Sequence, residues 1–284
     1  MKRFAFLVAG LVLALGWAGW LGAIRDPAVV RYRVELAGLQ RPLRMVHLSD
    51  LHGSNWDMPQ VRLNRIMDQV NTLEPDLVVV TGDFHASKIW DPPMRMDDAV
   101  QPLTRLKAPL GVWSVPGNHD DPALLRAALA APFRHCGQHD FGAWRIVMLD
   151  SRLADEASGA LSHAELARLD AALGALEGRQ ALVVLHHHPV TSHSAWLDTV
   201  ALRDPDALFA VLDRHAGVRG LLWGHVHQVY EGARRDVRLM GTPSTCVQFL
   251  PRVPHFAVDT LPPAYRTLTL HADGGIDSQV HWVQ

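Results

Sequence analysis

At 284 residues, 48% of them apolar, the chain can bury one large core or two modest ones, and a single catalytic domain is expected. Its formal net charge of −2 offers no basic surface, which argues against a nucleic-acid backbone as the main partner. Two cysteines, Cys136 and Cys246, give no disulfide framework and read as reduced core thiols.

Lys2 and Arg3 precede a segment, Phe4 to Ile24, with no charged residue, closed by Arg25. At ~1.5 Å per helical residue it would span about 30 Å, the thickness of a bilayer core. No small-residue cleavage signal follows it, so the expectation is a retained transmembrane helix over residues 1–25 and a catalytic domain over 26–284. Trp17 and Trp20 would sit near one interface. Lys2 and Arg3 on one flank oppose Arg25, Arg31 and Arg33 on the other, so the charge rule leaves the membrane side of the domain open.

Val30 to Leu36 alternates with period two and reads as a half-exposed strand. Arg44 to His52 is an apolar run ending in Asp50-Leu51-His52. Val61, Ile66, Met67 and Val70 then recur at helical spacing, with Pro59 suited to the first turn. Leu77 to Thr81 is a second strand, running into Gly82-Asp83, which makes a βαβ unit. A shorter helix over Ala99–Leu106 is stopped before the third strand, which ends in Gly117-Asn118-His119-Asp120. Pro122 to Ala131 reads as a capped helix. Trp144 to Leu149 is a strand, and Ser162-His163-Ala164-Glu165 is a capping box opening a helix that runs to about Leu176. A fourth apolar run, Ala181 to Leu185, ends in His186-His187-His188-Pro189. Leu208 to Leu212 belongs to a helix before the fifth run, Gly220 to Trp223, which ends in Gly224-His225-Val226-His227. From Val237 onward, short alternating runs (238–240, 246–250, 256–259, 265–271 and 279–283) read as antiparallel strands of a second sheet closing over the first.

Five strand-length runs therefore end in Asp, Asn or His. In an open α/β sheet the carboxyl ends of the strands converge on one crevice, so these side chains are expected to meet there. Asp50 and His52 can face one ion, Asp83 can bridge two with its two oxygens, Asn118 offers a neutral amide oxygen, and an imidazole from His186–His188 joins His225 on the second ion while His227 returns to the first. Mixed oxygen and nitrogen donors suit Mn, Fe, Zn or Co, and the lack of thiolate argues against a closed structural zinc site. Two adjacent ions with open positions would activate a water as nucleophile.

These motifs, in this order, resemble the calcineurin-like metallophosphoesterases over roughly residues 43 to 284. The resemblance implies a four-layer αββα sandwich of two mixed β-sheets flanked by helices, over a dinuclear site. Residue by residue, it implies one metal held by Asp50, His52, Asp83 and His227. The other would be held by Asp83, Asn118, His187 and His225, His187 being chosen because it stands two positions before Pro189. His119 resembles the family's residue that binds the phosphate or protonates the leaving oxygen. Asp120 either orients His119 or caps the helix beginning at Pro122. His47 is expected to be a satisfied core histidine and His188 to serve the substrate or stand behind the ligands. His85 lies just past the bridging aspartate, a candidate for substrate contact with no matching residue to carry over and ordinary loop packing as the alternative, and Trp56 and Trp90 are candidates to stack a base.

In its C-terminal half the chain is similar to the bacterial 3′,5′-cyclic AMP phosphodiesterase branch, through His186–Pro189, Trp196-Leu197-Asp198, Leu222–Gln228 and Pro243–Phe249. Its N-terminus looks more like membrane-anchored members of the superfamily. The implied activity is metal-dependent hydrolysis of a phosphodiester, cyclic AMP first and a lipid or nucleotide-sugar phosphodiester as the alternative. The implied location is a bacterial inner membrane.

Overall fold

The structure is a computed structural model that describes residues 43–86, 91, 94–129 and 133–282. The expected transmembrane segment, the strand at Val30 to Leu36 and Trp90 lie outside the described residues. No helix among the described residues is long and apolar enough to cross a membrane.

Two six-stranded mixed sheets form the centre. The first has the order β12-β11-β1-β2-β3-β4, with β1 (Leu43–Leu48), β2 (Leu77–Thr81), β3 (Val112–Val115) and β4 (Arg134–His135) parallel to one another. β11 (Ala264–Leu270) and β12 (Ile276–Trp282) add antiparallel on the β1 side. The second sheet has the order β5-β6-β7-β8-β10-β9. Its members are β5 (Gly137–Phe141), β6 (Trp144–Met148), β7 (Gln180–Val184), β8 (Val218–Trp223), β9 (Tyr230–Arg234) and β10 (Val237–Gly241), and β6, β7, β8 and β10 run parallel.

The pleat sorts each strand onto two faces. Met45, Leu77, Val79, Trp113 and Val115 of the first sheet pack against Trp144, Ile146, Met148, Leu182, Val184, Leu222 and Met240 of the second. Their neighbours Val46, Leu48, Val78 and Val80 turn outward onto Leu63, Ile66, Met67 and Val70 of helix α1 (Gln60–Thr72). On the other side Val147, Val183, Leu185 and Leu221 turn onto Leu169 and Leu173 of α4 (His163–Gly174) and onto Leu208, Phe209 and Leu212 of α5 (Pro205–Leu212). Three apolar clusters thus separate four layers.

The structure departs from the sequence reading in sheet membership. The five metal-facing strands do not share one sheet; three lie in the first and two in the second. The C-terminal segments do not form a sheet of their own: β10 extends the second sheet and β11 with β12 extends the first. Residues 246–250 and 256–259 are loops joined by a single bridge, Phe249 to Val258. The expected helix at Ala99–Leu106 is α2 (Met96–Val100) followed by a 3₁₀ turn over Gln101–Arg105, where Pro102 removes a backbone donor. Helix α3 (Pro122–Ala128) is shorter than expected, and its cap is Asp121, which accepts from Ala123 N at 2.8 Å and Leu124 N at 2.9 Å. At α4 the capping serine behaves as read, Ser162 Oγ accepting from Glu165 N at 3.1 Å.

Candidate metal centre

The ligand-bearing strands β1, β2 and β3 run parallel in the first sheet and β7 and β8 in the second, and they deliver their exits to a common edge. There Asp50, His52, Asp83, His225 and His227 all have positive φ, between 46° and 64°. Asp and His tolerate the left-handed region better than most side chains, so each can end its strand and turn the chain at once. Close approach of the loops is possible because two positions lack a side chain. A Cβ on Gly117 would lie 2.1 Å from Asp83 Oδ1, and one on Gly224 would lie 1.9 Å from Ser49 Oγ.

Two donor sets result. In the first, His227 Nδ1 donates to Val247 O at 2.6 Å, which leaves the lone pair on Nε2. That nitrogen lies 3.1 Å from His52 Nε2 and 3.2 Å from Asp50 Oδ1, while His52 Nε2 is 3.7 Å from Asp83 Oδ2. In the second, His186 Nδ1 donates to Thr81 O at 2.7 Å, so its Nε2 lone pair also points inward. It lies 3.1 Å from Asn118 Oδ1, 3.1 Å from His225 Nδ1 and 3.6 Å from Asp83 Oδ2. Asp83 Oδ2 therefore stands between the sets. Its other oxygen accepts from His119 N at 3.0 Å.

Lone pairs crowd against lone pairs here, and Asp50 Oδ1 and His225 Nε2 are buried with no hydrogen-bond partner. Buried acceptors without donors are costly, and cations are what such a set accommodates. Asp50 and Asp83 are fully buried, and burial pushes both carboxyls up; the surrounding imidazoles, led by His227 for Asp50 and His186 for Asp83, outweigh this and hold both below the ordinary range. Burial lowers His52 to about 3 and His225 well below 6.5, so both present the neutral form that ligates metals. His186 moves upward: burial opposes its proton, but Asp83 and Asp50 favour it. The residues present thus fit two cations sharing Asp83, with oxygen and nitrogen donors and no thiolate.

Of the expected second set, the structure brings Asp83, Asn118 and His225 together, keeps His187 in one donor group with His225, and adds His186, whose Nε2 meets Asn118, His225 and Asp83. The His187 ring lies 4.8 Å from that of His225 and fills the space over Gly159; its Nδ1 lies 2.8 Å from Ser151 Oγ, and its Nε2, like that of His225, is buried with no hydrogen-bond partner. The pleat explains why His186 also enters the group. Leu182 and Val184 face the partner sheet and Val183 and Leu185 face the helices, so the next inward position is His186.

Asp120 neither caps a helix nor meets the His119 ring. Its Oδ2 accepts from Asp83 N at 2.8 Å and Gly117 N at 2.9 Å, and its Oδ1 from Phe84 N at 2.9 Å, tying the loops after β2 and β3 together. Burial first, and then the Asp83 charge, raise it to about 7. His119 is the most open of these groups. Its side chain is 35% exposed, with Nε2 4.0 Å from Asp83 Oδ2 and its ring edge on His52.

His47 is the satisfied core histidine expected, bonded on both nitrogens. His188 is buried beside His225 with its rings stacked 5.5 Å apart, and lines a cavity of about 460 Å³ with Val190, Val226 and Gln228, behind the His225–His227 loop. His85 is partly buried and bridges to Gly53 by backbone. Trp56 is 64% exposed. Cys136 and Cys246 form no disulfide, and burial raises the Cys136 thiol to about 12. Sequence reasoning missed Phe249, whose ring stacks on His227 at 3.9 Å and 3°; nothing in the short run 246–250 marks it.

A two-sheet α/β sandwich carrying oxygen and nitrogen donors for a cation pair at the strand exits defines the class, a metallophosphoesterase. The profile of the calcineurin-like phosphoesterase family matches residues 43–229, and the chain belongs to that family. It is therefore a hydrolase acting on phosphodiesters. It is 36% identical over 259 residues to the 3′,5′-cyclic adenosine monophosphate phosphodiesterase CpdA of Escherichia coli (strain K12), covering 87% of this chain and 91% of that one. Identity to the CpdA of Vibrio vulnificus (strain CMCP6) is 37% over 210 residues, 73% of this chain and 75% of that one. Among solved structures, a dimetal phosphatase from Danio rerio superposes with a TM-score of 0.60 at 16% identity, over 85% of this chain and 96% of that one. At that identity the likeness concerns the fold.

Proposed function

We propose that the chain hydrolyses a 3′,5′-cyclic nucleotide, cyclic AMP first, at a centre of two metal ions. Asp50, His52, Asp83 and His227 would hold one ion and Asp83, Asn118, His186 and His225 the other, with His186 in the place expected of His187. Mn, Fe, Zn and Co all match these donors. When bound, the pair polarises the phosphoryl oxygens and lowers the pKa of a water.

The protein's own groups supply the rest. Burial of both carboxylates excludes bulk water from the donor set and strengthens every charge interaction within it. His119, more open than the others and beside Asp83, is placed to donate a proton to the departing O3′ as the P–O3′ bond breaks and the water oxygen bonds to phosphorus. Asp120, by clamping the backbone of Asp83 and Gly117, holds the bridging carboxylate and the His119 turn in register. The convergence of His52 and His186 Nε2 on Asp83 Oδ2, with His227 Nε2 on Asp50 Oδ1 beside them, carries this reading, and similarity to the CpdA phosphodiesterases supports the substrate.

The test is turnover of cyclic AMP by the Mn-loaded full-length chain, set beside bis(p-nitrophenyl) phosphate, with metal content measured by elemental analysis. His186→Ala is expected to lose one of two ions and the activity. Retention of both ions by that variant overturns the assignment. The uncharged Phe4 to Ile24 segment favours a second reading, in which the chain is anchored by a single pass in a bacterial inner membrane and acts on a lipid or nucleotide-sugar phosphodiester. Cyclic AMP turnover no faster than that of the generic diester would select it.

A further inference from the structure

Asp50 is reached from the far side of the sheet interface by an unbroken line of buried hydrogen bonds. Arg266 in β11 donates from Nε to Thr242 Oγ1 at 3.1 Å, while its Nη2 donates to Gly241 O at 2.8 Å and its Nη1 pairs with Glu231. Thr242 Oγ1 lies 2.7 Å from His47 Nδ1, and His47 Nε2 lies 2.8 Å from Thr81 Oγ1. Thr81 Oγ1 is 2.8 Å from Ser49 Oγ, which in turn contacts Asp50 Oδ2. Arg266, Thr242, His47, Thr81, Ser49 and Asp50 are all 0% exposed, so water does not compete for any of these groups.

Counting protons fixes the direction from both ends. Guanidinium has no acceptor, so Thr242 Oγ1 must accept from Arg266, and its single hydrogen is left for His47 Nδ1. An ionised carboxylate has no donor, so the hydrogen between Ser49 and Asp50 belongs to Ser49; the competing contact, Ser49 Oγ to Thr81 O, is longer at 3.4 Å. The hydrogen between Thr81 and Ser49 must then be that of Thr81, which obliges Thr81 Oγ1 to accept from His47 Nε2–H. The opposite tautomer would leave two hydroxyl oxygens 2.8 Å apart with no proton between them and the Thr242 hydrogen unused. Space for the last link exists only because residue 224 is glycine: a Cβ there would lie 1.9 Å from Ser49 Oγ, 2.8 Å from Asp50 Oδ2 and 2.9 Å from Thr81 Oγ1.

We infer that Arg266, Thr242, His47, Thr81 and Ser49 form a proton-ordered relay, with His47 locked as its Nε2–H tautomer, that fixes which oxygen of Asp50 faces the metal site. Ser49 and the backbone N–H of His225, at 3.0 Å, occupy Oδ2. Oδ1 alone is left for the ion. Each donor in the line is polarised by the one behind it, so the series presents Asp50 with a stronger hydrogen bond than an isolated serine would give. Burial first, and then the Arg266 charge, lower His47 to about 3, which agrees with a neutral ring at working pH. These five are positioning residues, and their role rests on Asp50 being a metal ligand.

Two readouts test this in the full-length chain. In metal-free protein with ¹⁵N-labelled histidine rings, the His47 resonances, assigned by contacts to the Thr81 and Thr242 methyls, should show Nδ1 unprotonated and Nε2 protonated at neutral pH. A protonated Nδ1 overturns the relay. Mn²⁺ affinity, read from the free-ion electron paramagnetic signal, should fall about 10–100-fold in Ser49→Ala, the range for loss of a group bonded to a ligand. It should fall by less than about 10-fold, below the range for a group bonded directly to a ligand, in Thr242→Val, which keeps the shape but removes the hydroxyl, and stay at the wild-type level in Thr242→Ser. Wild-type affinity in both Ser49→Ala and Thr242→Val, or equal losses in Thr242→Val and Thr242→Ser, overturns the positioning role. A wild-type chain that binds no Mn²⁺ overturns the reading of Asp50 as a ligand, while the tautomer still reports on the relay by itself.

Discussion

Gly224→Ala probes the junction of the two sheets with one methyl group. The added Cβ would stand 1.9 Å from Ser49 Oγ and 2.8 Å from Asp50 Oδ2, and it cannot be relieved locally, since Ser49, Asp50 and Thr81 are fully buried and bonded to one another. Overpacking of this kind costs about 1–3 kcal/mol. Pushing Ser49 away also breaks its hydrogen bond to the carboxylate, worth about 1.5–3 kcal/mol for a charged partner. The expected loss is therefore about 2.5–6 kcal/mol, a large part of the ~5–15 kcal/mol that holds a domain folded. Urea denaturation of the metal-free chain measures it. The double variant Ser49→Ala/Gly224→Ala removes the atom that clashes, so the steric share should return while the hydrogen-bond share does not. The hydrogen bond is then lost once and not twice, so a cycle of the two substitutions should be non-additive by the whole Gly224→Ala loss, roughly 2.5–6 kcal/mol. Additive losses, or a Gly224→Ala chain within about 0.5 kcal/mol of wild type, the range of a change that disturbs nothing, would refute the reasoning.

Acid should destabilise the metal-free chain. His47 is held near 3 in the folded protein against an ordinary 6.5, so the unfolded chain takes up a proton that the folded one refuses. Its stabilising effect is complete above pH 6.5 and is lost as the pH falls toward 3, at about 1.4 kcal/mol per pH unit. Urea midpoints that stay level between pH 6.5 and 4.5 would contradict this. Asp120→Asn should cost about 1–3 kcal/mol, because the amide nitrogen would face a backbone N–H that the carboxylate now satisfies. Its kcat should fall less than about tenfold, whereas loss of a general acid or base costs about 10²–10⁴; steady-state kinetics separates the two. Asp121→Ala removes both hydrogen bonds at the start of α3 and should lower stability by about 1 kcal/mol in thermal or chemical denaturation, without changing metal content.

The donors of this site were readable in the sequence because each follows a run such as Leu77–Thr81 that can only be a buried strand. Which sheet each run joined was not readable. Strand neighbours are set by packing across the whole domain, and nothing within Ala181–Leu185 says that it lies beside Trp144–Met148 and not beside Val112–Val115. That His186 joins His187 and His225 in one donor group was hidden for a related reason. Counting back from Pro189 ignores the pleat, whereas counting forward from Leu182 and Val184, once their face is known, arrives at His186. Asp120 and Asp121 show the limit at its narrowest. Both precede Pro122, and only the three-dimensional path decides that Asp121 accepts from the helix while Asp120 turns back to the β2 loop. The hydroxyls of Ser49, Thr81 and Thr242 carried no signal, because the contact between Ser49 and Thr81 spans 32 residues and that between Thr242 and His47 spans 195.

Five site residues, Asp50, His52, Asp83, His225 and His227, share positive φ, and this links the chemistry to the fold. A strand that delivers a ligand at its exit must also turn at once, or the next residues would run through the space the ions need. Glycine could make each turn but offers no donor, and β-branched residues neither turn nor ligate. Asp and His do both, at a cost of order 1–3 kcal/mol for each strained backbone. The surroundings sustain that cost through contacts already described: Val247 O on His227, the backbone of His225 on Asp50, and Asp120 on the backbone of Asp83. The same contacts aim the lone pairs. Strain and ligand orientation are therefore maintained by one set of hydrogen bonds, so a substitution that loosens the backbone here should disturb metal binding even when every donor side chain is kept.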